Sequence, residues 1–252
     1  MYKILANLAL PANNLHYLPS CHSTNEIAQD LLISGAEEGT IVITDDQFNG
    51  KGQRGNSWHS KSGQNLTFSI ILKPEFLSPK DQFAITMVMS LSLKSCLEDW
   101  LPGEVDIKWP NDIYFKGRKI AGLLIENVLR GNRFESCIIG IGLNVNQKEF
   151  NPRLNATSVA LELDRDFELN TVFNTFLEQF DQNYAILRKS GRGAFEESYH
   201  NALLGYGTER RFMVNKEPLI GAIQGTDEFG RLLLLVENEI RRYQFKEIEM
   251  IF

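Results

Sequence analysis

The chain has 252 residues, 43% of them hydrophobic and 23% charged, with a formal net charge of −6. A chain of this length buries enough surface for one large domain plus a small one without disulfide staples. Its acidic balance excludes a general attraction to nucleic acid, so any anionic substrate needs a local basic cluster. Three cysteines, Cys21, Cys96 and Cys137, lie far apart with no CxxC pair. That spacing argues against a zinc site and a disulfide framework and fits a reducing compartment. The N-terminal run MYKILANLALPANN is broken at Asn7, which disfavours a secretory leader, and no stretch approaches the roughly 20 apolar residues of a membrane span. The sequence reads as a soluble, cytoplasmic protein.

In chain order, residues 23–32 predict an amphipathic helix with Ile27, Ala28, Leu31 and Leu32 on one face, and Ser23 with Glu26 fits a capping box. Residues 40–44 predict a strand, 49–58 a glycine-rich basic loop, and 66–72 a second strand. Residues 81–99 predict a helix. Strand-like runs follow at 105–109, 120–126 and 134–145, then helices at about 170–188 and 194–204. Beyond Gly205 short strands alternate with turn signals at 215–217, 226–230 and 237–239, the texture of a small barrel or sandwich. The expected division is a unit over 1–204 and a small barrel over 205–252.

Several stretches carry chemistry. In Gly50-Lys51-Gly52-Gln53-Arg54-Gly55 the glycines let backbone approach a ligand while two cations sit among them, so the loop could hold phosphate. It matches neither a Walker A loop nor a dinucleotide fingerprint, and a basic surface loop fits the spacing equally well. Lys108-Trp109-Pro110-Asn111-Asp112 sets an amide and a carboxylate after a proline. Asp112 could hold Mg²⁺ through oxygen, or the stretch is a plain turn. Lys119 opens an apolar strand containing Gly122, and glycine within a strand often marks a close approach. Gly140 and Gly142, two apart, clear one face for a flat ligand, and Asn144 beside them can donate and accept. Ser23, Thr24 and Asn25 at a helix start can cap the helix or read a polar ligand.

Taken in order, STN, Gln47 with GKGQRGNSW, KWPNDIY, RKIAGLLIE and GIGLNVN resemble the successive motifs of the biotin–protein ligases, over residues 23–158 and more loosely beyond. The resemblance implies an α+β fold, with a mixed β-sheet catalytic domain flanked by helices and followed by a small SH3-like barrel. It also implies a two-step reaction. Biotin and ATP give biotinyl-adenylate and pyrophosphate, and a lysine of a biotin carboxyl carrier protein or domain then takes the biotin. Ser23, Thr24, Asn25, Gln47, Lys51, Gly52, Gln53, Lys119 and Gly122 would bind biotin. Arg54, Trp58, Asn111 and Asn144 would bind ATP or the adenylate. Lys119, Lys51 and Asp112 would serve catalysis, with Asp112 holding Mg²⁺.

Many bacterial members of the family carry arginine at both cationic loop positions, where this chain has Lys51 and Gln53. Only 22 residues precede the STN motif, too few for the helix-turn-helix of some relatives, so DNA binding is not expected. Monomer and homodimer both remain open. A lipoate or octanoate ligase shares the fold but needs no reader of a ureido ring. A non-catalytic biotin sensor would not need Lys119 and Asp112.

Overall fold

Runs of β-branched and large apolar residues build a seven-stranded mixed sheet: β1 (Leu15–Cys21), β2 (Ile41–Gln47), β3 (Leu66–Leu72), β4 (Val105–Lys108), β5 (Asp112–Phe115), β6 (Arg118–Arg130) and β7 (Arg133–Leu143). The computed structural model describes residues 2–4, 8 and 14–251, so most of the N-terminal run weighed above as a leader lies outside the described residues. The strand order is β1-β2-β3-β7-β6-β5-β4. Only β1 and β2 run parallel, and helix α1 (Thr24–Ile33) makes the crossover that parallel neighbours require.

The two faces of this sheet differ. On one face, β3 residues Leu66, Phe68, Ile70 and Leu72 pack under α2 (Phe83–Glu98) and α4 (Leu169–Ser190) in the main core. The predicted α4 stripe of Phe173, Phe176, Leu177, Phe180 and Tyr184 is buried there, with Phe173 edge-on to Phe68 at 5.1 Å. Each such side chain contributes about 1.5–3 kcal/mol. The other face carries α1 at one end, where Ile27, Ala28, Leu31 and Leu32 close over Val42, Ile71 and Ile138. The pleat then turns Ser69 and Thr67 of β3 and Gly140 and Gly142 of β7 to this same face, in register with Leu124 and Gly122 of β6. The polar residues and glycines of the middle strands therefore lie together beside α1.

Three elements go beyond the periodicity reading. Strand β1 is half polar, β5 is only four residues inside what reads as a turn, and α3 (Val159–Leu163) is a single turn and a half. The capping box is corrected. Ser23 takes the extended N-cap backbone, but its hydroxyl makes no cap hydrogen bond, and Glu26 pairs with His22 and Lys51 instead. The three cysteines are free and buried. No helix among the described residues is long and apolar enough to cross a membrane.

After α5 (Gly193–Asn201) a separate antiparallel sheet follows: β8 (Glu209–Val214), β9 (Glu217–Thr226), β10 (Leu232–Val236), β11 (Glu239–Tyr243) and β12 (Ile248–Met250), in order β11-β10-β9-β8-β12. Its hairpin turns put Asn215-Lys216 and Glu237-Asn238 at positive φ, as two-residue turns between twisted strands require. This is the α+β class expected from the sequence. Three residues of the first unit hold the second sheet by hydrogen bonds. The Arg192 guanidinium donates to the carbonyls of Asp227 and Glu228, and the Trp109 indole N–H donates to the Gly230 carbonyl at 2.9 Å. The third is His200 on α5, whose Nε2 accepts the Thr226 N–H at 3.0 Å.

An acceptor Nε2 must be unprotonated, and burial lowers the pKa of His200 from 6.5. Glu196 opposes that shift and Arg192 adds to it. The unfolded chain therefore binds a proton that the folded chain resists. The contribution of His200 to stability is complete above about pH 6.5 and is lost as pH falls below it. Between pH 7.5 and 5.5 the wild-type melting temperature should fall further than that of His200→Gln, which keeps an acceptor without titrating. Parallel losses in the two proteins would show that His200 does not couple folding to pH.

Candidate active site

Beside α1, the glycine-rich loop folds over the sheet as a flap. It leaves β2 at Gln47 and closes on its own backbone, with the Gly52 N–H donating to the Asn56 carbonyl at 2.7 Å and the Trp58 N–H to the Gly50 carbonyl at 2.9 Å. A short 3-10 turn over Gln53–Gly55 makes its tip, and the backbone of Arg54 lies in that turn. Gly50 is required here, because a Cβ would come within 2.4 Å of the Trp58 carbonyl oxygen. Beneath the flap lies a cavity of about 160 Å³.

At one end of the cavity the start of α1 meets the sheet. Gln47 Oε1 accepts from the Thr24 N–H at 2.8 Å and from its hydroxyl at 3.2 Å. Ser69 Oγ stands 2.7 Å from both Thr24 Oγ1 and Asn25 Oδ1. Asn25 Nδ2 donates to Glu126 at 2.7 Å and more weakly to the Leu124 carbonyl at 3.5 Å. Asn25 rests where β7 has no side chain: a Cβ on Gly140 would lie 2.3 Å from Asn25 Oδ1.

At the other end, Lys119 Nζ and Asp112 Oδ1 pair at 2.7 Å. Strict alternation would send Lys119 and Gly122, three apart, to opposite faces. A bulge prevents this. Asp112 pairs with Gly122 and Ile113 with Ala121, but Tyr114 pairs with Lys119, so Ile120 is an extra residue on β6 and Lys119 is re-aimed into the cavity. The Lys119 backbone is pinned on its far side by Asn155 and Thr157. A Cβ on Gly122 would lie 3.1 Å from Lys119 Nζ and 3.2 Å from Asp112 Oδ1, so the ion pair sits directly over this glycine.

Between the two ends lies Trp58. Its ring rests on Gly142, where a Cβ would be 2.2 Å away, and Lys119 Nζ lies 5.4 Å from the ring centroid. The indole N–H is buried with no hydrogen-bond partner. The face that the paired glycines clear is thus covered by Asn25 on Gly140 and Trp58 on Gly142, with the flat group supplied by the chain itself.

Of the residues predicted from sequence, Ser23, Thr24, Asn25, Gln47, Lys51, Gly52, Gln53, Trp58, Asn111, Asp112, Lys119 and Gly122 all line this cavity. Lys51 does so while paired with Glu26, which raises its pKa and lowers that of Glu26. Asn111 donates its amide to the Leu123 carbonyl. Asn144 is not among the lining residues. It is buried at the end of β7, with Nδ2 donating to the Thr157 carbonyl at 3.0 Å. Asp112 is the single carboxylate on the wall, and no cluster of three or more potential metal ligands occurs among the described residues.

Lys108 and Ser69 are among the wall or network residues to which the sequence assigned no role of their own. Lys108 lines the cavity, and burial lowers its pKa, with Asp112 opposing and Lys119 adding to the shift. Ser69 lies behind Thr24 and Asn25. Its signal was one of two hydroxyls, with Thr67, in a strand buried at every position, where such a group must find a partner.

Residues 17–144 match the biotin/lipoate A/B protein ligase family. The bifunctional ligase/repressor BirA of Bacillus subtilis is 31% identical over 241 residues, spanning 94% of this chain and 74% of that protein. The biotin–[acetyl-CoA-carboxylase] ligase of Mycobacterium tuberculosis is 24% identical over 222 residues, 84% of this chain and 79% of that protein. Among solved structures, the biotin protein ligase from Aquifex aeolicus in complex with biotin and ATP superposes with a TM-score of 0.79 at 27% identity. That match covers 94% of this chain and 98% of that one.

The packing of Asn25 on a bare strand predicts a steric effect. Gly140→Ala should force Asn25 from its seat and destabilise the fold by about 1–3 kcal/mol, the usual cost of overpacking. Gly193→Ala meets open space at ordinary φ and serves as the control. Urea midpoints of the two variants check this, and equal midpoints would mean that Asn25 is not held against β7.

Proposed function

Because this chain belongs to the biotin/lipoate A/B protein ligase family, we propose that the cavity under the flap is where it activates biotin with ATP, before passing biotin to a lysine of a carboxyl carrier protein or domain. The observation that carries this reading is the pairing of Lys119 with Asp112 over Gly122, set across Trp58 from the polar cluster of Thr24, Asn25 and Gln47. One end suits an uncharged ring rich in donors and acceptors, and the other suits a reacting anion.

In the first step a biotin carboxylate oxygen attacks the α-phosphorus of ATP, and the bond to the β-phosphate oxygen breaks. Pyrophosphate leaves and biotinyl-adenylate remains. In the second, the carrier lysine amine attacks the biotinyl carbonyl, loses a proton and expels AMP. Both nucleophiles come from the substrates, so the chain's task is to hold and polarise. Lys119 supplies a fixed cation where negative charge gathers on phosphate oxygens in the transition state, aimed by the bulge at Ile120. Ser23, Thr24, Asn25 and Gln47 read the ureido ring, Gly122 leaves room beside Lys119, and Lys51, Gly52, Gln53 and Arg54 belong to the flap that covers biotin and the phosphates. Trp58 walls the adenylate, with Asn111 and Asn144 on the nucleotide side.

Mg²⁺ fits the residues present. A magnesium ion binds through one or two carboxylates plus substrate phosphates, and Asp112 is the one carboxylate on the wall, with Asn111 beside it. In this structure the Asp112 carboxylate already accepts from a cation, the Lys119 ammonium at 2.7 Å. Bound there, Mg²⁺ would neutralise phosphate charge.

The same reading takes residues 1–204 as the catalytic unit and 205–252 as the small barrel, and places the work in the cytoplasm. It requires no second copy of the chain, since every residue named lies in one.

Pyrophosphate–ATP exchange tests the assignment. Exchange should require biotin and Mg²⁺, and equal exchange with lipoate would sink the choice of substrate. Lys119→Met should keep its circular dichroism spectrum and lose a hundredfold or more in exchange, since one such contact contributes roughly 3–4 kcal/mol. Near-normal exchange by that variant would remove Lys119 from the chemistry.

A further inference from the structure

Amide side chains look nearly the same either way round, and only their partners decide which end faces the ligand. Two groups here have a single polarity. The Thr24 backbone N–H can only donate, so Gln47 must show it Oε1, which leaves Gln47 Nε2 as a donor. The Glu126 carboxylate can only accept, so Asn25 must show it Nδ2. Asn25 then turns Oδ1 toward Ser69 and Gly140 and keeps one lone pair spare. A ureido ring offers two N–H donors and one carbonyl acceptor, so the cluster is left holding the complementary set.

Of the partners of Asn25, only Glu126 enforces this orientation. Ser69 is a hydroxyl that can donate or accept, and the Leu124 carbonyl is 3.5 Å away. Glu126 reaches Asn25 because β6 continues past the sheet's glycine row, placing residues 122, 124 and 126 on the cavity face in register with Gly142, Gly140 and Ile138. It is absent from the cavity wall and so acts through Asn25.

We propose that Glu126 is a positioning residue for ligand recognition: its carboxylate fixes the amide of Asn25 so that an acceptor faces the ureido N–H. This rests on the assignment of biotin as the substrate. Glu126→Gln is the informative change, because it keeps size and polarity while a glutamine amide can satisfy either end of Asn25. A second charged neighbour must be separated from this effect. Lys51, whose pKa is raised mainly by Glu26, also feels Glu126.

The experiment is a double-mutant cycle of Glu126→Gln and Asn25→Ala, read in biotin-dependent pyrophosphate exchange. Glu126→Gln should raise KM for biotin on the order of tenfold, the loss expected of a hydrogen bond to a charged group. KM for ATP and kcat should stay within about twofold and the melting temperature should not shift, on the premise that the lost contact acts on ground-state binding of one substrate. Asn25→Ala should also raise KM for biotin, and the double variant should be no worse than Asn25→Ala alone, since coupled residues do not add. Multiplying effects would assign Glu126 to Lys51 and overturn the proposal, as would a fall in kcat and melting temperature together or an unchanged KM in Glu126→Gln. Wild-type protein lacking biotin-dependent exchange would overturn both this inference and the substrate assignment. Wild-type exchange with an additive cycle overturns this inference alone.

Discussion

A β-strand presents alternate residues to opposite faces, and the cavity depends on how β3, β6 and β7 use that rule. One set of residues, including Phe68, Ile70 and Ile139, is committed to the core under α2 and α4. The other set could have been equally apolar, as Ile71 and Ile138 are beneath α1. Instead it changes within two positions to Ser69, Thr67, Gly140, Gly142 and Gly122. A continuous hydrophobic face would have drawn another helix onto it. A face of glycine and hydroxyl leaves a floor that side chains from a helix start and a flap can approach closely, on strands kept rigid by the core behind them.

The charges are placed by one departure from that rule. Without the extra residue at Ile120, Lys119 would point into the core side of the sheet, where an unpaired ammonium is strongly disfavoured. With it, Lys119 meets Asp112 across a half-open cavity and keeps its ammonium over the Trp58 ring. Partial burial strengthens such a pair relative to one on the surface, while leaving both groups within reach of the cavity.

Much of this was legible in residues alone. The strand at 66–72, the long α4 stripe and the change of texture after Gly205 follow from period and turn chemistry, and the order of the motifs alone carries the family resemblance. What periodicity could not show was anything decided by partners distant in sequence. Strand β5 is too short to carry a pattern. The capping box failed because Glu26 found Lys51 and His22 across space. The bulge at Ile120 appears only when β5 and β6 are paired, and Glu126 reads as an ordinary strand-end acid until Asn25 is brought to it from 101 residues away. Asn144 is likewise held by a partner that the strand pattern does not announce, its Nδ2 donating to the Thr157 carbonyl.

The contact between Trp109 and Gly230 has a thermodynamic side. Trp109 belongs to the wall of the cavity and Gly230 to a turn of the second sheet, so detaching that sheet removes a support from the segment bearing Asn111 and Asp112. Any molecule that binds only the assembled cavity therefore also binds only the docked form of the chain. By mass action it pulls the equilibrium toward docking, raising the free energy of a local opening some distance from its own contacts. The small C-terminal sheet would in this sense be held in place partly by whatever the larger unit has bound.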